Sequence, residues 1–150
     1  MTARLNAREA APDIMKAVGA LHLAVENSGL EKSLIELVKI RGSQINGCAY
    51  CIHQHTSDAR KAGERDDRML LLPVWREARH IFTPREQAAL AWTEVVTQLD
   101  GQPIPDAEFA ALRPHFTEPE IVKLTVAIGM INLWNRIGVP FGMTPDVKTA

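Results

Sequence analysis

Two thiols and an imidazole lie close together in residues 48–55, the segment CAYCIHQH. On a helix that advances about 100° per residue, Cys48 and Cys51 lie about 60° apart and His55 falls between them. Cys51 and His55 have the i,i+4 spacing at which helical side chains meet, whereas about 10 Å of helical rise separates Cys48 from His55. His55 is therefore predicted to serve Cys51, and His53 points to another side of the helix.

A carboxylate in the preceding predicted helix can join this group. If Asn46-Gly47 reverses the chain between two antiparallel helices, Glu36 lies opposite residues 55–58. A carboxylate near His55 would orient the ring and stabilise its charged form. The sequence thus predicts a chain from Glu36 through His55 to Cys51, which is the arrangement of a nucleophilic cysteine with its base and an orienting acid.

A second thiol, that of Cys48, lies one helical turn from Cys51. The pair is within reach of a disulfide, which favours redox chemistry. Cys51 would attack a peroxide and become a sulfenic acid, and Cys48 would condense with it to a disulfide. An external thiol reductant must then restore the dithiol by exchange. Because Cys48 is nearer the helix N-terminus, where the dipole favours a thiolate, the residues alone leave open which cysteine attacks first.

The same residue types are compatible with other roles. A zinc site would need both cysteines and both histidines, yet structural zinc sites usually join two separated ligand pairs, and His53 points away. The cysteines could also be small buried hydrophobic residues, and Glu36 could be an ordinary solvated helix residue. We therefore predict no metal ion and no other cofactor beyond the redox-active pair Cys48 and Cys51.

Composition narrows the class of protein. The chain has 150 residues, of which 46% are hydrophobic and 23% charged, and these values are typical of one soluble globular domain. With 17 basic and 18 acidic residues the net charge is −1, so nothing favours nucleic acid or an anionic membrane as a partner. No apolar run approaches the ~20 residues of a membrane span, and the first residues lack the apolar block of a signal peptide. A cytoplasmic location is expected, where a C-x-x-C pair is more often catalytic or metal-binding than structural.

Helical periodicity dominates the chain, and no alternating stretch of strand length occurs. Three sites have capping-box spacing, Ser28 with Glu31, Thr83 with Glu86 and Thr117 with Glu120. Helices are predicted over residues 8–26, from about 30 to 45, 48–62, in two short pieces within 65–80, and over 84–99, 106–113 and 118–137. The predicted fold is an all-α, single-domain helical bundle over residues 1–150, in which the cysteine-bearing helix packs in an antiparallel hairpin.

Polar and aromatic residues outside the hairpin carry weaker signals. Asn132, Asn135 and Arg136 lie within an otherwise apolar helix. They are expected to form interhelical hydrogen bonds or to line a subunit interface, and the alternative is a place at the edge of the active site. The remaining histidines have no partner legible in the sequence and are expected at the surface or in packing, and the tryptophans in the core or at an interface; these are His22, His80, His115, Trp75, Trp92 and Trp134. The apolar last helix favours a homo-oligomer.

The spaced set of Glu36, Cys48-x-x-Cys51 and His55 resembles the alkylhydroperoxidase AhpD core of the carboxymuconolactone decarboxylase-like superfamily. The resemblance is close over residues 33–63 and looser up to about residue 100. The core of the AhpD-like domain is therefore expected over about residues 30–100. It implies a helical bundle of the AhpD-like type, a homo-oligomer that is a trimer or hexamer, and hydroperoxide reduction by thiols without haem, flavin or metal. By position it makes Cys51 the sulfenate-forming cysteine, Cys48 the resolving cysteine and proton donor, and Glu36 with His55 a proton relay.

The chain departs from this family at Tyr50, where the best-studied members carry a histidine before the second cysteine, so part of their proton relay is missing. The predicted function is a thiol-dependent hydroperoxide reductase. Its expected partners are a hydroperoxide and a dithiol reductant or a lipoyl- or thioredoxin-like reducing protein. The alternatives are a non-catalytic redox sensor or metal-binding module, and lactone decarboxylation with Glu36 or His55 as the acid–base group. The cysteine pair argues against lactone chemistry.

Overall fold

The computed structural model describes residues 3–147, which contain helices and no strand, as the all-α, single-domain prediction requires. The α-helices are α1 (Ala7–Ala10), α2 (Pro12–Glu26), α3 (Lys32–Ile45), α4 (Ala49–Lys61), α5 (Asp66–Leu71), α6 (Pro84–Thr97), α7 (Asp106–Ala110) and α8 (Glu118–Gly138). Short 3-10 turns cover Leu72–Val74 and Arg79–Ile81. Among the helices in this range, none is both long and apolar enough to cross a lipid bilayer.

Helix α3 is the central element of the bundle. It packs against α4, α6 and α8, and its apolar side chains are buried on more than one face. On one side Ile35 and Val38 join a core with α6 and α8. On the other, Leu37 and Ile40 join a second core around Trp75. Because α3 is enclosed along most of its length, a charged side chain buried on it is stabilised only if it finds a partner inside the protein.

Two local predictions are wrong: the first helix is not continuous, and one of the three capping boxes does not form. The helix predicted over residues 8–26 is interrupted at Ala11, which has φ −144° and ψ 70°, because proline disfavours the helical conformation of the residue before it. Pro12 instead begins α2. The expected capping box of Ser28 with Glu31 does not form: Glu31 itself precedes α3, and its side chain makes no cap hydrogen bond.

The other capping boxes are confirmed at Thr83 with Glu86 and at Thr117 with Glu120. In each, the glutamate carboxylate accepts a hydrogen bond from the threonine backbone N–H, and at Thr83 the hydroxyl also accepts from the Glu86 N–H. These caps fix where α6 and α8 begin. Both α6 and α7 end earlier than predicted, at Thr97 and Ala110.

A buried amide network fixes the turn between α3 and α4 onto α8. The Asn46 Nδ2 atom donates to Asn132 Oδ1 at 2.8 Å and to Asn135 Oδ1 at 2.9 Å. Asn135 Nδ2 donates to the Ser43 hydroxyl at 3.0 Å, which confirms the expected interhelical role. Gly47, with φ 66°, then reverses the chain in a conformation that other residues rarely adopt. The network therefore holds the start of the cysteine-bearing helix in place.

Candidate active site

Helix α4 begins immediately after Cys48, which is its N-cap and not part of its body. The backbone of Cys48 is extended, with φ −88° and ψ 92°, and its Sγ accepts a hydrogen bond from the Cys51 backbone N–H at 3.3 Å. The prediction that both cysteines lie on the helix is wrong for Cys48, because a residue that caps a helix leaves the helical conformation. One of the free N–H groups at the start of α4, that of Cys51, therefore donates to the Cys48 sulfur.

The two cysteines are joined by a disulfide, with their Cα atoms 5.3 Å apart. Both are buried, but they differ in what lies beside them. Cys51 lines a cavity of about 580 Å³, a volume typical of small-molecule sites, and Cys48 does not. A molecule that enters this cavity therefore meets the sulfur of Cys51.

Gly138, on α8, allows the last helix to approach both sulfur atoms. A Cβ atom added at Gly138 would lie 3.1 Å from Cys48 Sγ and 3.6 Å from Cys51 Sγ. Sequence reasoning predicted only that the last helix ends at residue 137, next to this glycine. It could not find the contact, because the contact joins residues that are far apart in the chain.

The predicted contact between Glu36 and His55 is present. His55 Nδ1 lies 3.0 Å from Glu36 Oε2, across the packed pair α3 and α4. His55 is 9% exposed and lines the same cavity as Cys51. His53 is exposed and is not part of the cavity wall. Because Nδ1 is held by Glu36, Nε2 is the ring nitrogen that remains for exchange of a proton.

A buried lysine, which sequence reasoning missed, completes this chain of charges. Lys39 is 1% exposed and forms ion pairs with Glu26 of α2 and with Glu36 Oε1, the latter at 2.8 Å. The only sequence signal was a lysine between two apolar positions of α3. Burial alone would raise the pKa of Glu36, but the hydrogen bond and charge of His55 and the charge of Lys39 lower it below its ordinary value. Glu36 is therefore a carboxylate at neutral pH.

The cavity wall combines apolar side chains with a few polar ones. It is lined by residues of α2, α4 and α8 and of both terminal segments, among them Met15, His22, Tyr50, Gln54, Asp58, Trp134, Ile137, Phe141 and Met143. His22 was expected at the surface or in packing, yet it shares the wall with Cys51 and His55. Trp134, expected in the core or at an interface, also lies on this wall. Both come from helices outside the hairpin, α2 and α8.

Within residues 3–147, no group of three or more His, Cys, Asp or Glu side chains is arranged to hold a metal ion. The alternative zinc site would need His53, which lies outside the cavity. The described site therefore consists of a cysteine pair, an imidazole–carboxylate pair and a cavity of ligand size.

The amino-acid sequence is similar to those of known proteins. The sequence profile of the carboxymuconolactone decarboxylase family matches residues 12–95, more than half of the chain. The uncharacterised protein YdfG of Bacillus subtilis is 39% identical over 95% of this chain and 96% of its own.

Two solved structures have the same fold. ATU0492 of Agrobacterium tumefaciens, a protein of unknown function proposed to be the antioxidant defence protein AhpD, is 44% identical. It aligns with a TM-score of 0.94 over 98% of this chain and 100% of its own. An uncharacterised peroxidase-related protein with an alkylhydroperoxidase AhpD core, from Ralstonia eutropha, is 26% identical, with a TM-score of 0.81 over 93% of this chain and 74% of its own.

Replacing Gly138 by alanine should lower the free energy of unfolding of the disulfide form by about 1–3 kcal/mol, because the new methyl group crowds both sulfurs in a closely packed site. Urea unfolding followed by circular dichroism measures this. Gly129→Ala is the matched control on the same helix, since a Cβ there meets no atom within 4 Å. It should stabilise the protein by up to about 1 kcal/mol through helix propensity. Equal effects of the two substitutions would contradict the packing at Gly138.

Proposed function

This chain belongs to the carboxymuconolactone decarboxylase family, and on that premise we propose that it is a thiol-dependent hydroperoxide reductase. One observation carries the proposal: a cysteine pair already in disulfide contact has one sulfur, that of Cys51, on the wall of a cavity that also holds His55. Such a pair can take two electrons from a reductant and give them to a substrate in the cavity.

In the first step His55 removes the proton of the Cys51 thiol, and the negative charge of Glu36 stabilises the imidazolium that forms. The Cys51 thiolate attacks the terminal oxygen of the hydroperoxide. An S–O bond forms, the O–O bond breaks, and the leaving oxygen takes up the proton that Cys51 lost. The products are a sulfenic acid on Cys51 and an alcohol. Access favours Cys51 for this role, because Cys48 does not reach the cavity.

In the second step Cys48 resolves the sulfenic acid. Its position at the N-terminus of α4, where its Sγ accepts the Cys51 N–H group, favours the thiolate form. This thiolate attacks the sulfur of Cys51, an S–S bond forms, and the hydroxyl group leaves as water after taking one proton. On sequence grounds, the helix N-terminus near Cys48 left open which cysteine attacks the peroxide first. In the proposed cycle the same helix N-terminus favours the thiolate of Cys48 in the resolving step.

In the third step an external dithiol reduces the disulfide. Its thiolate attacks the accessible Cys51 sulfur, and Cys48 leaves as a thiolate, which is a good leaving group at a helix N-terminus. The second thiol of the reductant then closes its own disulfide and releases Cys51. A lipoyl- or thioredoxin-like protein of the cytoplasm has the required chemistry. All electrons pass through sulfur, so the proposed cycle uses no metal, haem or flavin.

The apolar part of the cavity supports an organic hydroperoxide as substrate. Met15, Ile137 and Phe141 line the cavity with Cys51, and contact with apolar side chains favours binding of a carbon substituent over water. Hydrogen peroxide has no such substituent. The proposed substrate class is therefore an alkyl or aryl hydroperoxide.

We also propose that the protein works as a homo-oligomer, a trimer or hexamer. Helices α2 and α8 expose large apolar side chains, including Ile14, Leu23, Val122 and Val126, and an apolar surface of this kind is typical of an interface between subunits. Sedimentation velocity should give a mass of three or six chains. A single species with the mass of one chain would exclude this assembly.

Reduced protein should lose two thiols on treatment with one equivalent of cumene hydroperoxide. Cys48→Ser should instead accumulate a sulfenic acid on Cys51 that a dimedone reagent traps, because the resolving thiol is absent. Cys51→Ser should keep its remaining thiol. Thiol counting and mass spectrometry of the labelled peptide measure these outcomes.

Turnover separates this function from its alternatives. With excess dithiol, the wild-type protein should consume many equivalents of hydroperoxide, and either cysteine substitution should abolish this. Oxidation without turnover would instead indicate a redox sensor. Thiols that survive the peroxide unchanged, together with an activity on lactones that resists alkylation, would refute the proposal.

A further inference from the structure

Helix α2 brings a second imidazole to the cavity. The ring of His22 meets the indole of Trp134 edge-on, with ring centroids 6.3 Å apart and an interplanar angle of 85°. Trp134 in turn packs against the buried cluster that contains Cys48 and Cys51. His22 is therefore connected to the cysteine pair through one aromatic ring, although it is far from the pair in sequence.

Both of these rings carry a polar atom with no hydrogen-bond partner. Within the described range of the chain, His22 Nδ1 and Trp134 Nε1 are each shielded from solvent and form no hydrogen bond. Most buried polar atoms in proteins have a partner, and an unsatisfied one costs about 1–3 kcal/mol. A small movement that brings either atom onto a ligand breaks no existing hydrogen bond. Two such atoms on one cavity wall indicate a polar group that binds between them.

The protonation state of His22 makes the two atoms complementary. Burial lowers the pKa of His22 and the positive charge of Lys39 lowers it further, against an opposing effect of Glu26. The ring is therefore neutral at neutral pH, and a neutral imidazole has one nitrogen that accepts a hydrogen bond. The indole N–H of Trp134 can only donate. Together the rings offer one acceptor and one donor.

We propose that His22 and Trp134 bind the peroxide group of the substrate, an inference that rests on the proposed hydroperoxide reductase function. A hydroperoxide has an O–H donor on its terminal oxygen and an acceptor on the adjacent oxygen. With the proton of the neutral ring on Nε2, His22 Nδ1 accepts a hydrogen bond from the O–H group, and Trp134 Nε1–H donates to the adjacent oxygen.

This placement helps the reaction as well as binding. As the Cys51 thiolate forms its bond to the terminal oxygen and the O–O bond breaks, negative charge develops on the adjacent oxygen. The N–H group of Trp134 stabilises that charge until the oxygen takes the proton that His55 received from the Cys51 thiol. The products remain a sulfenic acid and an alcohol.

The test compares two reactions of the same thiolate. In stopped-flow experiments on reduced protein, His22→Phe and Trp134→Phe should each lower the rate constant for cumene hydroperoxide by ~10-fold or more, the value of one lost hydrogen bond. Alkylation of Cys51 by iodoacetamide, which needs no peroxide contact, should stay within about twofold. His22→Gln keeps an acceptor and should recover part of the peroxide rate.

His53→Phe is the control, because His53 is exposed and outside the cavity, and it should change neither rate. Peroxide rates unchanged in His22→Phe and Trp134→Phe would overturn the inference. A fall of the alkylation rate in parallel with the peroxide rate would also overturn it. The same holds if His22→Gln reacts with peroxide no faster than His22→Phe, since both results indicate that the rings only support packing. Wild-type protein that hydroperoxide does not oxidise would refute the proposed function itself, which is a distinct outcome.

Discussion

The buried ammonium group of Lys39 determines how the polar side of the site is built. An unpaired charge inside a protein costs several kcal/mol, so two carboxylates approach Lys39, one from the end of α2 and one from α3 itself. The α3 carboxylate, Glu36, then has its second oxygen free for His55 on α4. One buried charge thus ties three helices together and orients the imidazole beside the cysteine pair.

The two cysteines occupy different environments although only two residues separate them. Cys48 is held at the N-terminus of α4, next to the Asn46 network, and does not line the cavity that Cys51 lines. Cys51 lies one turn into the helix, on the cavity wall. This asymmetry supports a division of roles, with the accessible sulfur meeting the substrate and the capped sulfur closing the disulfide. Gly138 permits both, because any larger residue would crowd the sulfurs.

The parts of the site that could be predicted are those fixed by local geometry. A tight turn at Asn46-Gly47 sets the register of one helix hairpin, so the pairing of Glu36 with His55 follows from counting residues. The N-cap position of Cys48 was missed because it depends on where the turn ends. Other contributions come from helices outside the hairpin and depend on tertiary packing, which spacing does not encode: Glu26, His22, Trp134 and Gly138.

The central claim is that Glu36 acts through His55 to make Cys51 a reactive thiolate. Reduced Cys48→Ser protein has one thiol, so the difference in absorbance near 240 nm between this variant and one that also carries Cys51→Ser reports the Cys51 thiolate during a pH titration. The pKa of Cys51 should lie below the ordinary cysteine value of about 8.5, and it should rise when Glu36→Gln is added, because the imidazolium loses its carboxylate. A pKa at or above the ordinary value that does not change with Glu36→Gln would contradict the claim.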